Sequence, residues 1–198
     1  QVRNRFAKTA ESYWGYKESD NSHKEIIDIY NTKLSKLPRG YAVKPTDEWC
    51  ATFVSAIGAQ LGWSDIILPE CSCNKMIELY KAAGRWQEDD SYTPNPGDIV
   101  MYDWEDNGNG DNTGVADHVG IVVSVPGQTI SVIEGNKNGE VGYRSISVNA
   151  KNIRGYCLPN FKSKSEEKQE VCDMNLPVLQ KGLVGNSVKS LQILLIGH

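Results

Sequence analysis

The chain has no run of eighteen apolar residues, which excludes a membrane-spanning helix from its reading. It also has no basic segment followed by an apolar stretch at its beginning, so no signal peptide is visible. Basic residues do not gather into a patch and the formal net charge is −4, which argues against nucleic acid as a partner. Histidine is scarce: only His23, His118 and His198 are present, and no CxxC pair exists. That leaves too few ligands for a multi-histidine or zinc-knuckle metal site, and no cofactor or metal is expected. Internal repeats and low-complexity tracts are absent as well. What is present is a globular balance, 39% hydrophobic and 23% charged over 198 residues. This excludes a disordered chain and fits one domain with an appendage. The five cysteines, Cys50, Cys71, Cys73, Cys157 and Cys172, are an odd number. At least one must be free, bonded to another molecule or chemically active.

The first forty residues read as helical. A mixed, polar segment over 2–13 ends at Trp14-Gly15. A second helix follows Asn21-Ser22, with Glu25 placed to complete a capping box. Its stripe is Ile26, Ile27, Ile29, Tyr30 and Leu34, and Pro38 to Gly40 stops it. Pro45 disfavours helix just before it, and Thr46 or Asp47 is a good N-cap for the next one. Cys50, Phe53, Val54, Ile57 and Leu61 then recur at helical spacing, with Gly62 as the stop. A further helix is expected over 74–83. Beyond it the period changes to that of strands, over 98–103, 118–125, 129–134, 141–148 and 153–158, with Pro126-Gly127 as a hairpin. Helices first and antiparallel strands later predict an α+β domain. The charged stretch 162–176 reads as a linker, and 177–198 as an apolar tail with one helix over 187–196, too small to hold its own core. The predicted division is therefore 1–161, 162–176 and 177–198.

A buried free cysteine is ordinarily a small apolar core residue. Three features set Cys50 apart. It falls in the first turn of a helix, where unpaired N–H groups favour a thiolate. The loop before it is polar, and a histidine with suitable context exists elsewhere. That histidine is His118, which opens an apolar strand behind Asp117. A surface histidine is the competing reading, but a histidine at a strand start facing a cysteine-bearing helix is how a thiol–imidazole dyad is built. His23, in a polar helix start, and His198, in the tail, compete less well. The next strand ends Ile133-Glu134-Gly135-Asn136. Folded back through the Pro126-Gly127 hairpin, it brings Glu134 or Asn136 beside His118 as acceptor of the imidazole N–H. The same Glu-Gly-Asn also reads as a plain turn.

Four segments occur in an order that resembles the CHAP domain, the cysteine- and histidine-dependent amidohydrolase/peptidase family allied to NlpC/P60 proteins. They are the run from Glu48 through Trp49, Cys50 and Phe53 to Ser55, the run from Pro96 to Val100, the run from Asp117 through His118 to Val122, and Ile133 to Asn136. The resemblance spans about 41–161. It implies a papain-like fold and hydrolysis of bacterial peptidoglycan, with Cys50 as nucleophile, His118 as base, Glu134 as orienter and Asn136 as further polar support. It makes Asp98 structural. The bond that the resemblance implies is an N-acetylmuramoyl–L-alanine amide or one within the stem or bridge peptides. The resemblance implies action at the cell wall, reached by secretion or at phage lysis. The tail, from Pro177 to Gly182 and from Gly185 to Gln192, resembles the start of a small helical peptidoglycan-binding domain.

Two other functions compete with hydrolysis of the wall. A wall-binding protein without turnover would not need Cys50, His118 and Glu134 together, and an effector acting on a non-wall amide would keep them with a different groove. The oxygen-rich loop 103–112 does not fit EF-hand spacing and reads as a solvated loop rather than a calcium site. Cys71 and Cys73 are too close in sequence to bond each other, while Cys157 and Cys172 are candidates to pair across the linker.

Overall fold

The computed structural model describes residues 1–89, 91–105 and 114–165. The chain divides into two compact units, Gln1–Phe161 and Lys162–His198. In the first, four helices precede and flank a six-stranded sheet: α1 (Val2–Glu11), α2 (His23–Lys33), α3 (Cys50–Gln60), α4 (Cys73–Ala82), β1 (Trp86–Gln87), β2 (Ile99–Tyr102), β3 (His118–Ser124), β4 (Thr129–Lys137), β5 (Glu140–Ser147) and β6 (Ile153–Cys157). The order across the sheet is β1-β6-β2-β3-β4-β5, antiparallel throughout. This is the expected α+β architecture, with N-terminal helices packed on an antiparallel sheet in the papain-like manner. The expected tail with its helix, and Cys172 before it, lie outside the described residues.

Alternation along the strands divides the core between the two faces of the sheet. Ile99, Met101, Val119, Ile121, Ile133 and Val141 join the helices in one cluster, and Val100, Tyr102, Val122, Val132, Ile153 and Tyr156 form another. Helix α3 is buried along all of its length except Gln60, which is why its residues are apolar on every side and not on one stripe. Gly135 allows its close approach to β4, because a Cβ there would overlap the Phe53 side chain. In α2 the predicted stripe is the packed face: Ile26, Ile27 and Tyr30 are buried and Leu34 nearly so.

The capping expectations need correction. Ser22 is the N-cap residue of α2 but makes no capping bond. Its hydroxyl instead accepts the Lys17 N–H and donates to Asp20, while Glu25 accepts from the Tyr16 hydroxyl. Neither Thr46 nor Asp47 caps α3. Its N-cap position is Trp49, again without a side-chain bond, because Asp47 accepts from the Lys44 N–H and the Tyr41 hydroxyl and so closes the turn before it. The sequence reading also passed over the two-residue edge strand β1 and the tight turn between β4 and β5. That turn is Asn138-Gly139, both at positive φ, the pattern that suits a two-residue hairpin.

Asp98 is fully buried at the entry to β2. It accepts from Arg3 at 2.6 Å, the Tyr92 hydroxyl and the Asn95 N–H, so it ties α1 to the sheet. Among the described residues no helix is long and apolar enough to cross a membrane.

Candidate active site

Cys50 is the first residue of α3, and the N-cap residue Trp49 makes no side-chain bond to the first-turn N–H groups of that helix. The Ala51 N–H bonds the Cys50 sulfur. His118 is the first residue of β3 and lies opposite Tyr102 of β2. Continuing the pairing of Ile121 with Ile133 sets Gly120 against Glu134. A side chain at Gly120 would collide with Glu134, whose Cγ would stand 2.7 Å from the added Cβ. The bare backbone at Gly120 is therefore the space through which Glu134 crosses β3 towards His118. Its Oε2 meets His118 Nε2 at 3.1 Å. With Nε2 engaged there, the contact of His118 with Cys50 falls to Nδ1.

The structure thus brings together Cys50, His118 and Glu134, which are 7%, 9% and 0% exposed. Asn136 is elsewhere. It sits at positive φ where the β4–β5 register shifts, and its amide donates to Glu48 Oε2 at 2.6 Å. Of the other histidines, His23 is buried under Trp49 with Nε2 at 3.0 Å from the Pro45 carbonyl, a packing role.

Two partners of the trio went unnoticed in the sequence. Arg144 of β5 lies across from Val132, one step along the same face from Glu134. Its Nε donates to Glu134 Oε1 at 2.6 Å, so each carboxylate oxygen holds a different group. The guanidinium also lies 4.7 Å from the Trp104 ring, which stacks on Tyr102 at 4.7 Å, and Tyr102 stacks on His118 at 5.9 Å. Opposite charge on paired strands was the available signal, but it needed the Asn138-Gly139 register to be read. The second partner is Cys73, first residue of α4, whose sulfur is 3.7 Å from that of Cys50. Its helix start is pinned by Asn74, which donates to the Ala116 carbonyl and accepts the Ala116 N–H two residues before His118.

The electrostatics follow from these contacts. The Cys50 thiol is brought down to about 5, first by the hydrogen bond with Cys73, then, against the opposing effect of burial, by the hydrogen bond and charge of His118. Burial works to lower His118, but its bonds to Cys50 and Glu134 outweigh that and raise it to about 9. Glu134 is held below its ordinary value: burial acts upward, and the bonds from His118 and Arg144 overcome it. Cys73 is pushed well above the thiol range, foremost by its bond to Cys50 and then by burial. The arrangement favours a thiolate beside an imidazolium, a nucleophile and a proton donor in one place.

Cys157 is fully buried in β6, and its expected partner Cys172 lies outside the described residues. Among the described residues no group of three or more histidine, cysteine or acidic side chains is placed to hold a metal ion. Residues 106–113, the greater part of the oxygen-rich loop, lie outside the described residues.

Comparison with curated proteins and with solved structures finds no match. The model of the CHAP domain family matches residues 40–136, a span that opens before α3 and closes just beyond Glu134. Residues 40–136 of this chain are thus a CHAP domain, of the papain-like peptidoglycan hydrolase family.

Proposed function

We propose that the protein hydrolyses an amide bond of bacterial peptidoglycan with Cys50 as nucleophile, His118 as proton carrier and Glu134 as orienter. The observation that carries this reading is the thiol–imidazole–carboxylate chain running from α3 to β3 to β4. The Cys50 thiolate attacks the amide carbonyl carbon, and the electrons of the C=O bond move to oxygen. The uncapped first turn of α3 offers N–H groups to that oxyanion. His118 gives its proton to the departing amine nitrogen, and the C–N bond breaks to leave a thioester. His118, now neutral, takes a proton from water. The hydroxide displaces the thiolate, and the new carboxylate departs. Glu134 fixes the imidazole tautomer and its orientation throughout. Asn136, bonded to Glu48, supports the loop at the end of β4 and so the surroundings of the site.

The substrate bond is the N-acetylmuramoyl–L-alanine amide or one within the stem or bridge peptide, and the place of action is the cell wall. Mass spectrometry of fragments released from defined walls tests both the activity and the bond. Glycan bearing a free lactyl carboxylate, with intact stem peptide, identifies an amidase. Split stems or bridges identify an endopeptidase. Release by the intact chain and none by Cys50→Ala is the expected result, and equal release by a folded Cys50→Ala protein overturns the mechanism.

A further inference from the structure

The thiol mechanism uses one sulfur, yet two are in contact. Cys50 and Cys73 each begin a helix, their sulfurs are 3.7 Å apart, and both side chains are buried. The position of Cys73 is fixed from outside the pair, by the double hydrogen bond of Asn74 to Ala116. Closing from 3.7 Å to the ~2.05 Å of a disulfide is a short displacement of the two sulfurs. The other described thiols are differently placed. Cys71 faces Arg39, and Cys157 ends β6, between β1 and β2.

We propose that Cys50 and Cys73 form a reversible disulfide site, closed by peroxide-class oxidants and reopened by thiols. The Cys50 thiolate attacks one peroxide oxygen. An S–O bond forms, the O–O bond breaks, and hydroxide leaves, so sulfur is oxidised by two electrons and peroxide is reduced. The Cys73 sulfur then attacks the sulfenic sulfur. The S–S bond forms, the S–O bond breaks, and the Cys73 proton departs with the hydroxide as water. A dithiol returns two electrons and two protons and restores both thiols. The depressed Cys50 thiol makes it the one that meets the oxidant, and the raised Cys73 thiol makes it the resolving partner. Without Cys73, the sulfur in contact with Cys50 is lost, and a sulfenic Cys50 is oxidised by further peroxide to the sulfinic acid, which thiols do not reverse. The bond would both silence the nucleophile and protect it. As a chemical site the pair stands on its geometry; as an activity switch it rests on the hydrolase reading above.

The test uses the full chain, hydrogen peroxide and dithiothreitol. Peptide mapping of the peroxide-treated protein is expected to recover a fragment joining Cys50 to Cys73. Wall hydrolysis is expected to fall at least about tenfold and to return with dithiothreitol. In Cys73→Ser and Cys73→Ala, each compared with its own activity before oxidation, peroxide loss should persist after dithiothreitol, with Cys50 found as sulfinic acid. Cys71→Ser should behave as the unaltered chain. A map that shows no Cys50–Cys73 fragment, or joins Cys50 to another cysteine, overturns the proposal. So does full recovery of both Cys73 variants. Because the map needs no turnover, it decides the disulfide even if the untreated protein leaves walls intact, a result that would sink the hydrolase reading alone.

Discussion

Glu134 divides its two oxygens between His118 and Arg144, and most of the residue-scale behaviour follows from that division. Glu134→Gln keeps the shape but removes the charge that holds His118 up. Wall hydrolysis should fall by about a hundredfold, the cost of a misoriented catalytic group, and less than in Cys50→Ala, where at least about a thousandfold is expected. Initial rates of turbidity loss on purified walls measure both. If Glu134→Gln matched the unaltered chain while Asn136→Ala were dead, the orienting role would belong to Asn136. The pH profile has a definite sign on each limb. Protonation of Cys50 removes the nucleophile, so activity falls as pH drops through about 5. Deprotonation of His118 removes the proton donor, so activity falls again as pH rises through about 9. The plateau lies between, and Glu134→Gln should move the alkaline limb to lower pH while leaving the acid limb less affected. Cys50, His118 and Glu134 could be singled out in the sequence because each sits at the end of an apolar run with a turn beside it. Cys73 and Arg144 could not, since their importance arises only from packing between elements distant in sequence.

At the scale of elements, the helices and the main strands were readable because their apolar periods change cleanly from 3.6 to 2 after Gly84. The caps were not. Ser22 and Asp47 are good capping residues, but here each satisfies a backbone N–H outside its helix, and a local pattern does not distinguish the two uses. Edge strand β1 was missed because two residues carry no period at all. The contact of β3 with β4 has a sharper requirement. Gly120 is placed where a methyl group would meet Glu134 and Val132. Gly120→Ala should cost about 1–3 kcal/mol of stability by overpacking and also displace the carboxylate from His118. Chemical denaturation gives the first quantity. A loss of wall hydrolysis at temperatures where the variant is still folded gives the second, and unchanged activity in a destabilised variant would show that Glu134 tolerates the shift.

For the whole molecule, the matched span 40–136 is smaller than the packed unit that contains it. Phe6, Ile26 and Tyr30 before it, and Tyr156 and Cys157 after it, are fully buried. We propose that 1–161 is the catalytic domain, 162–176 a linker and 177–198 a tail. Removal of 162–198 is then expected to leave turnover of soluble stem-peptide fragments within a factor of a few, since Cys50, His118 and Glu134 are all retained. A deleted protein that unfolds, or is silent on those fragments, would place the tail within the catalytic fold. The sheet order adds a constraint on synthesis. Strand β6, the last of the described strands, is inserted between β1 and β2. A growing polypeptide can thus assemble β2 through β5 as a meander, but β1 has no neighbour until 153–157 leave the ribosome. The last of this sheet's strands to be made is an interior one, so the catalytic domain can complete its sheet only after nearly all of it has been translated. A nascent chain that stalls early would release an unfinished sheet instead of an active hydrolase.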